Sequence, residues 1–216
     1  LFDPTQAVNL AGLPTVNVVK HEAHPRGVMM GINMTGKFKE LSDPRVRQAL
    51  AYAIPYKSII NAARGSWGKR TVYYLVPAMP GYVADNPYDT DLEKAKELLA
   101  EAGYPDGFKT TLWWSSVRTV DSSQYQQRLE TFDFDMVVSS FRQSLSPGNE
   151  QRDFWGSDAA DTQGSRNLIG IKNDIIDILI EKIISSEDRK ELINSTKALD
   201  RVLLWNHYVI PQWHIS

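Results

Sequence analysis

Val28-Met29-Met30-Gly31-Ile32-Asn33, followed by Asp43-Pro44-Arg45-Val46-Arg47-Gln48-Ala49-Leu50-Ala51-Tyr52-Ala53, decides the fold class. The first segment is short, β-branched and apolar, the signature of a strand. The second opens on Asp43, whose carboxylate can cap free N–H groups, and on Pro44, whose ring suits a first helical position. Val46, Leu50 and Ala53 then recur at helical spacing. Pro55 ends this helix or opens the next, because it has no N–H to donate. Ile59, Ile60 and Ala63 continue the apolar stripe to Gly65, a helix stop.

Working outward, Val16–Val19 reads as another short strand. Tyr73 to Tyr88 is a loop punctuated by Pro77, Pro80, Gly81 and Pro87. Asp91–Ala102 is an amphipathic helix with Leu92, Ala95, Leu98, Leu99 and Ala102 on one face, stopped by Gly103. Lys109–Trp114 and Val117–Val120 read as strands, and Ser122 or Ser123 caps a short helix through Leu129. Phe132–Ser139 carries few charges and reads as a buried strand. Leu145 to Arg166 is polar and irregular, with at most one short helix. Ile175–Ile184 and Asp188–Trp205 are helices, and Tyr208–Trp213 is a final strand. Helices and strands are mixed along the chain, so the class is α/β or α+β.

Composition excludes several functions. The 216 residues suffice for one large domain or two small ones, and 42% hydrophobic with 23% charged residues is ordinary for a globular protein. No stretch reaches the roughly 20 apolar residues of a membrane span. A net charge of -2, with 24 spread-out basic residues, argues against nucleic acid. The absence of cysteine removes thiolate catalysis, Cys-based zinc sites and disulfides. The chain starts at Leu1 with no signal peptide, which fits an internal piece of a longer protein.

Gly31-Ile32-Asn33, Leu41 to Ile54, Pro80-Gly81-Tyr82 and Ala95 to Tyr104 follow one another in an order that resembles the extracellular solute-binding proteins of family 5. These serve oligopeptide, dipeptide and nickel ABC transporters. Phe132 to Met136, Ser146 to Arg152, Gly164 to Asn167 and Ala198 to Leu203 resemble that family's branch associated with oligopeptides and microcin C-type antibiotics. The earlier stretch is nearer the dipeptide branch. In the family a longer segment containing a helix separates the strands at Lys109–Trp114 and Val117–Val120. Here they nearly touch, so residues are expected to be missing near 115–117.

The resemblance implies a periplasmic-binding-protein-like (type II) α/β lobe over residues 1–216. It would be mainly the C-terminal lobe of a two-lobed clamp, with a strand near 208–213 returning to the hinge. It implies no catalysis and no cofactor. The partners it implies are a peptide-like small molecule and an ABC permease in the membrane. The protein would be a monomer, periplasmic, or lipid-anchored and extracellular in a Gram-positive cell. In the family, the strand matching Phe134–Ser139 leads into a loop whose Trp and acidic residue lie near the ligand's amino end. Phe141 falls on the Trp and Ser144 on the acid, which leaves Glu150 to face an ammonium. A buried ammonium needs such a partner, because an unpaired buried charge is costly. The candidate ligand-binding residues are Asn33, Phe141, Arg142, Gln143, Ser144, Asn149, Glu150, Trp155 and Asn167. Arg142 could fork onto a carboxylate or phosphate. Phe141 and Trp155 also fit core packing, Glu150 a helix cap, and Asn167 a turn. Arg45 and Arg47 read as structural.

Other ligands in the same class are an opine, a sugar-peptide conjugate or chelated nickel. His21, Glu22 and His24 fall short of the three or four converging ligands of a firm metal site, so no metal residue is assigned. Asp133 and Asp135, alternating on a strand, could in principle serve a hydrolase. No G-x-S-x-G, P-loop or G-x-G-x-x-G occurs.

Overall fold

The computed structural model describes residues 10, 13–15, 26–64, 68–71, 74–77, 79–83, 89–113 and 122–215. The expected strands at Val16–Val19 and Val117–Val120, the expected discontinuity at 115–117, and His21 and His24 lie outside the described residues. Five strands form one mixed sheet. They are β1 (Arg26–Ile32), β2 (Gly68–Arg70), β3 (Leu112–Trp113), β4 (Met136–Arg142) and β5 (Val209–Ile215), in the spatial order β2-β5-β1-β4-β3. β1 lies at the centre, antiparallel to β4 and β5; β3 runs parallel to β4 along one edge.

Around it stand α1 (Pro44–Ala53), α2 (Tyr56–Arg64), α3 (Leu92–Glu101), α4 (Ser122–Glu130), α5 (Glu150–Trp155), α6 (Ser157–Ala160), α7 (Asp174–Ile184) and α8 (Arg189–Trp205). Alternation along β1 assigns the layers. Met30 and Ile32 point into a core with Leu41, Val46, Ala51 and Tyr56 on the α1–α2 side. Met29 points the other way, among Phe154 and Trp155 of α5, Ile176, Ile180 and Ile183 of α7, and Leu199 and Leu203 of α8. Gly31 shares the face of Met29, and a Cβ there would sit 2.4 Å from Ile169 Cγ2. Only glycine lets segment 169–171 lie this close to the sheet. Among the described residues no helix is long and apolar enough to cross a membrane.

Capping fixed the helix starts where the sequence placed them. Asp43 accepts from Arg45 N at 2.8 Å, Asp91 from Lys94 N at 2.9 Å and Asp188 from Glu191 N at 2.8 Å. Asn173 caps α7 by accepting from the N–H groups of Ile175 and Ile176. Arg47 is structural, as read: its buried guanidinium donates to the carbonyls of Leu41, Ser42 and Asn206. Burial holds its pKa below the ordinary arginine value.

Three expectations need correction. The strand expected at 132–139 begins only at Met136, because Phe132 takes a positive φ of 52° and the N–H groups of Phe132 and Asp133 close the end of α4 onto Leu129 O and Arg128 O. Asp133 and Asp135 therefore precede the strand and serve different partners. Asp133 pairs with Arg128 at 2.6 Å, and Asp135 accepts from Thr111 N at 2.7 Å. They form no acid–base dyad. The strand expected at 109–114 shortens to two residues. The polar stretch 145–166 holds two short helices, α5 and α6. Tyr74, Leu75 and Val76 lie outside helix and strand, as read, and are at most 2% exposed, belonging to the core.

β5 carries an irregularity. Val28 opposes Trp213 but Met29 opposes Pro211, so Gln212 is an extra residue against β1. Ile210 and Trp213, three apart, consequently share the α1–α2 side.

Candidate functional site

β4 ends at Arg142, opposite Arg26, and the chain then turns through 143–149 into α5. What holds this turn is a buried polar cluster. The Tyr74 hydroxyl lies 2.5 Å from Gln143 Oε1 and 2.7 Å from Gln151 Oε1, so its single proton serves one or the other. Gln151 Nε2 donates to Gln143 Oε1 at 3.1 Å. Gln143 lies at the start of the loop and Gln151 in α5 just after it, so the phenol proton and the Gln151–Gln143 bond together tie the two ends. Burial raises the Tyr74 pKa well above the ordinary phenol range, so the group stays a neutral donor.

Glu150 sits above this cluster. Its Oε1 accepts from Ser144 Oγ at 3.0 Å and its Oε2 from Gly148 N at 3.1 Å. Ser144 Oγ is also within hydrogen-bond reach of Ser146 O, so its one proton serves either acceptor. The carboxylate is thus held by the loop it belongs to, half-buried, and among the described residues no Lys or Arg forms an ion pair with it. Gln151 Nε2 lies 3.5 Å from Oε1 as a third donor; a carboxylate offers about four lone-pair sites, so about one remains for a ligand donor. Asn149 is exposed, with its Oδ1 3.4 Å from Arg152 Nη1. The structure brings Gln143, Ser144, Asn149 and Glu150 into one loop, as the sequence expected; Arg142 closes the strand that delivers it.

The remaining candidates lie elsewhere. Phe141 and Trp155 are 3% and 0% exposed and stack on each other at 4.9 Å, beneath the loop. Large apolar rings at these positions fill the space between β4 and α7–α8, which is why they pack inward. Asn33 follows the opposite end of β1, about 20 Å along the strand from the Arg26–Arg142 pair at 3.3 Å per residue. It is fully engaged there, donating to Phe132 O and Phe134 O and accepting from Thr35. Asn167 is buried and ties the chain locally, donating to Gly156 O and Ile171 O and accepting from Ile171 N.

Sequence reasoning missed Tyr74, Gln151 and Asp200. Asp200 is 2% exposed on the inner face of α8 and accepts from Leu75 N at 3.2 Å, with the Tyr74 amide beside it. Burial raises its pKa to about 7 against the pull of those two amides and of Arg201. The signal that could have found it is a lone Asp on the apolar face of a helix, at the spacing of Thr196, Leu199 and Leu203.

Three concavities surround this half of the molecule. One of about 290 Å3 lies directly against the loop, lined by Ser146 to Asn149 and by Ile183, Asp188, Arg189 and Leu192 of the α7–α8 turn. A larger cleft of about 680 Å3 lies between α5, α6 and α7, near Arg152, Ser157, Arg166 and Glu181. The third, about 540 Å3, is at the Asn33 end, beside Lys37, Phe132 and Tyr208. Among the described residues no three His, Asp or Glu side chains converge as metal ligands.

Residues 2–117, more than half of the chain, match the model for bacterial extracellular solute-binding proteins, family 5 Middle. The chain belongs to that family. This family 5 chain is 54% identical over 100 residues to the probable peptide-binding protein YejA of Agrobacterium fabrum, covering 46% of the chain and 16% of YejA. It is 41% identical over 280 residues to the peptidoglycan-binding protein YepA of the same species, covering 98% of the chain and 46% of YepA. The periplasmic binding protein DppA from Helicobacter pylori, solved in complex with peptide STSA, matches with a TM-score of 0.85 and 23% identity, over 99% of the chain and 46% of DppA. The fold is therefore the α/β fold of type II periplasmic binding proteins. The family 5 chain spans less than half the length of each of these relatives.

Proposed function

We propose that this chain is one lobe, mainly the C-terminal one, of the substrate-binding component of an ABC importer. It captures a peptide or peptide-like solute outside the cytoplasm, without altering it, and delivers it to a membrane permease as a monomer. The observation that carries this reading is the loop 143–150. It is tied by Tyr74 and by the Gln151–Gln143 bond, presents the half-buried Glu150 carboxylate, which forms no ion pair among the described residues, and borders an open concavity. A ligand ammonium would complete Glu150, and Arg142 at the end of β4 suits a ligand carboxylate. Closure of a second wall would exclude water and strengthen each of these contacts.

Family membership and the name of YejA support the peptide class. The name of YepA favours a second reading, a sugar-peptide conjugate. The YepA match runs over 280 residues against the 216 of this chain, so the relative holds residues with no counterpart here.

The test uses the full-length protein titrated by calorimetry with the tetrapeptide Ser-Thr-Ser-Ala, a longer oligopeptide mixture and a muropeptide. Arg142→Ala and Glu150→Ala should each weaken binding about tenfold or more with little loss of stability, and mass spectrometry should return the bound compound unchanged. Unchanged affinity in both variants would place the ligand away from this loop. Binding by muropeptide and not by linear peptide would select the second reading.

A further inference from the structure

We propose that Asp200 and Tyr74 act together as positioning residues for the loop 143–150, coupling the inner face of α8 to the candidate ligand-contacting turn. The role of the loop rests on the functional reading above; the coupling itself does not. Segment 74–76 has no strand or helix partner of its own, yet it is buried between the sheet and α8. Its backbone N–H groups would be orphans without an acceptor, and a buried orphan costs about 1–3 kcal/mol. Asp200 supplies that acceptor, taking the N–H group of Leu75 at 3.2 Å. The backbone so fixed aims the Tyr74 ring edge-on at Trp155, 5.0 Å between centroids, and delivers its hydroxyl between Gln143 and Gln151. Each step is a contact between groups 69 to 125 residues apart in sequence. Releasing Asp200 therefore frees Tyr74, and freeing Tyr74 leaves the Gln151–Gln143 bond without its phenol brace, which loosens the loop.

The arrangement makes the coupling sensitive to pH. The titratable and charged groups facing the pair are Arg201 on α8, Glu150 on α5 and the Tyr74 phenol itself. Closed, Asp200 holds its proton up to about pH 7; exposed by a local opening, it would lose it near the ordinary carboxylate value of 3.8. The open form is thus favoured as pH rises from about 4 to 7, and the latch is firmest in acid.

The experiment is amide hydrogen exchange on the full-length protein, corrected for intrinsic rates, and it needs no ligand. Between pH 5 and 7, protection of residues 144–150 should fall by up to tenfold per pH unit, while protection within α1 stays level. Tyr74→Phe should lower protection of 144–150 about five- to tenfold at every pH and leave α1 unchanged. Asp200→Asn should abolish the pH dependence. If that variant fails to fold, Tyr74→Phe decides alone, since it removes one hydroxyl and no volume of note. A uniform loss across the core, or a pH-independent loop in the parent protein, would overturn the coupling. Failure of Arg142→Ala and Glu150→Ala to affect binding would leave these exchange results standing and would count only against the ligand assignment.

Discussion

Truncating Trp155 to alanine separates two uses of an aromatic side chain, ligand platform and core. The indole is fully buried, stacks on Phe141 at 4.9 Å with 23° between planes, and meets Tyr74 edge-on at 5.0 Å. Removing a buried Trp or Phe costs about 3–5 kcal/mol through lost transfer energy and the cavity left behind. The stacked and edge-on pairs add about 0.5–1.5 kcal/mol each, so a loss near 5 kcal/mol is expected. For a chain of this size each kcal/mol moves Tm by about 2–4 °C, giving a drop of about 10–20 °C. Such a loss is a large part of a typical total stability of about 5–15 kcal/mol. Urea unfolding followed by far-UV circular dichroism measures it without relying on the indole removed. Trp155→Phe, which keeps a ring against Phe141, should lose about half as much and leave ligand affinity within twofold. A stability loss under about 1 kcal/mol for Trp155→Ala, or a folded Trp155→Phe protein that no longer binds, would refute the core assignment.

Arg47→Ala should destabilise by about 3 kcal/mol or more, because three carbonyls lose a charged donor; Arg47→Lys should recover less than half, as an ammonium cannot reach all three in the same fork. Asn167→Ala should cost about 2–4 kcal/mol by orphaning Gly156 O, Ile171 O and Ile171 N in the core. Both are checked by urea midpoints at constant slope. The pH dependence of stability joins two opposing groups. Burial lowers the His207 pKa to about 4, so its contribution is present above about 6.5 and lost as pH falls toward 4. Asp200, raised to about 7, contributes below 3.8 and loses that contribution as pH rises to 7. Each slope approaches about 1.4 kcal/mol per pH unit, so the parent protein should be nearly flat between pH 4.5 and 6.5. Asp200→Asn should reveal a stability that rises with pH over that window; a variant curve as flat as the parent's would show that the two do not offset.

Much of the architecture was legible because it is written in local signals. Asp43, Asp91, Asn173 and Asp188 mark helix starts within a turn of their own sequence, and the isoleucines of α7 fall at helical spacing. What misled was the same local logic applied where distant packing decides. Phe132-Asp133-Phe134-Asp135 alternates like a strand, yet its first half closes α4 through a left-handed residue. The prolines after Tyr73 marked a loop, which the structure keeps, but gave no sign that Tyr74 to Val76 is buried in the core. For the candidate site, the contiguous run Gln143 to Glu150 was visible as one polar loop. The residues that hold it, Tyr74, Gln151 and Asp200, were not. Their partners lie up to 125 residues away, and no periodicity links a tyrosine in a proline-rich stretch to a glutamine pair. Asn33 and Asn167 were misplaced for a related reason: an asparagine at a strand end or turn looks the same whether it meets solute or neighbouring carbonyls.

The surplus residue at Gln212 carries a consequence for how β5 tolerates change. A regular strand would show an every-other-position rhythm in a saturation mutagenesis profile. Here the rhythm must skip a beat: Ile210 and Trp213 respond as a pair despite their odd spacing. Deleting Gln212 would restore the even rhythm and leave Ile210 and Trp213, now two apart, on the same side and opposite Met30 and Val28 as before. The strand should thus lose this one residue with its facing pattern intact, which a matched set of point and deletion variants would test.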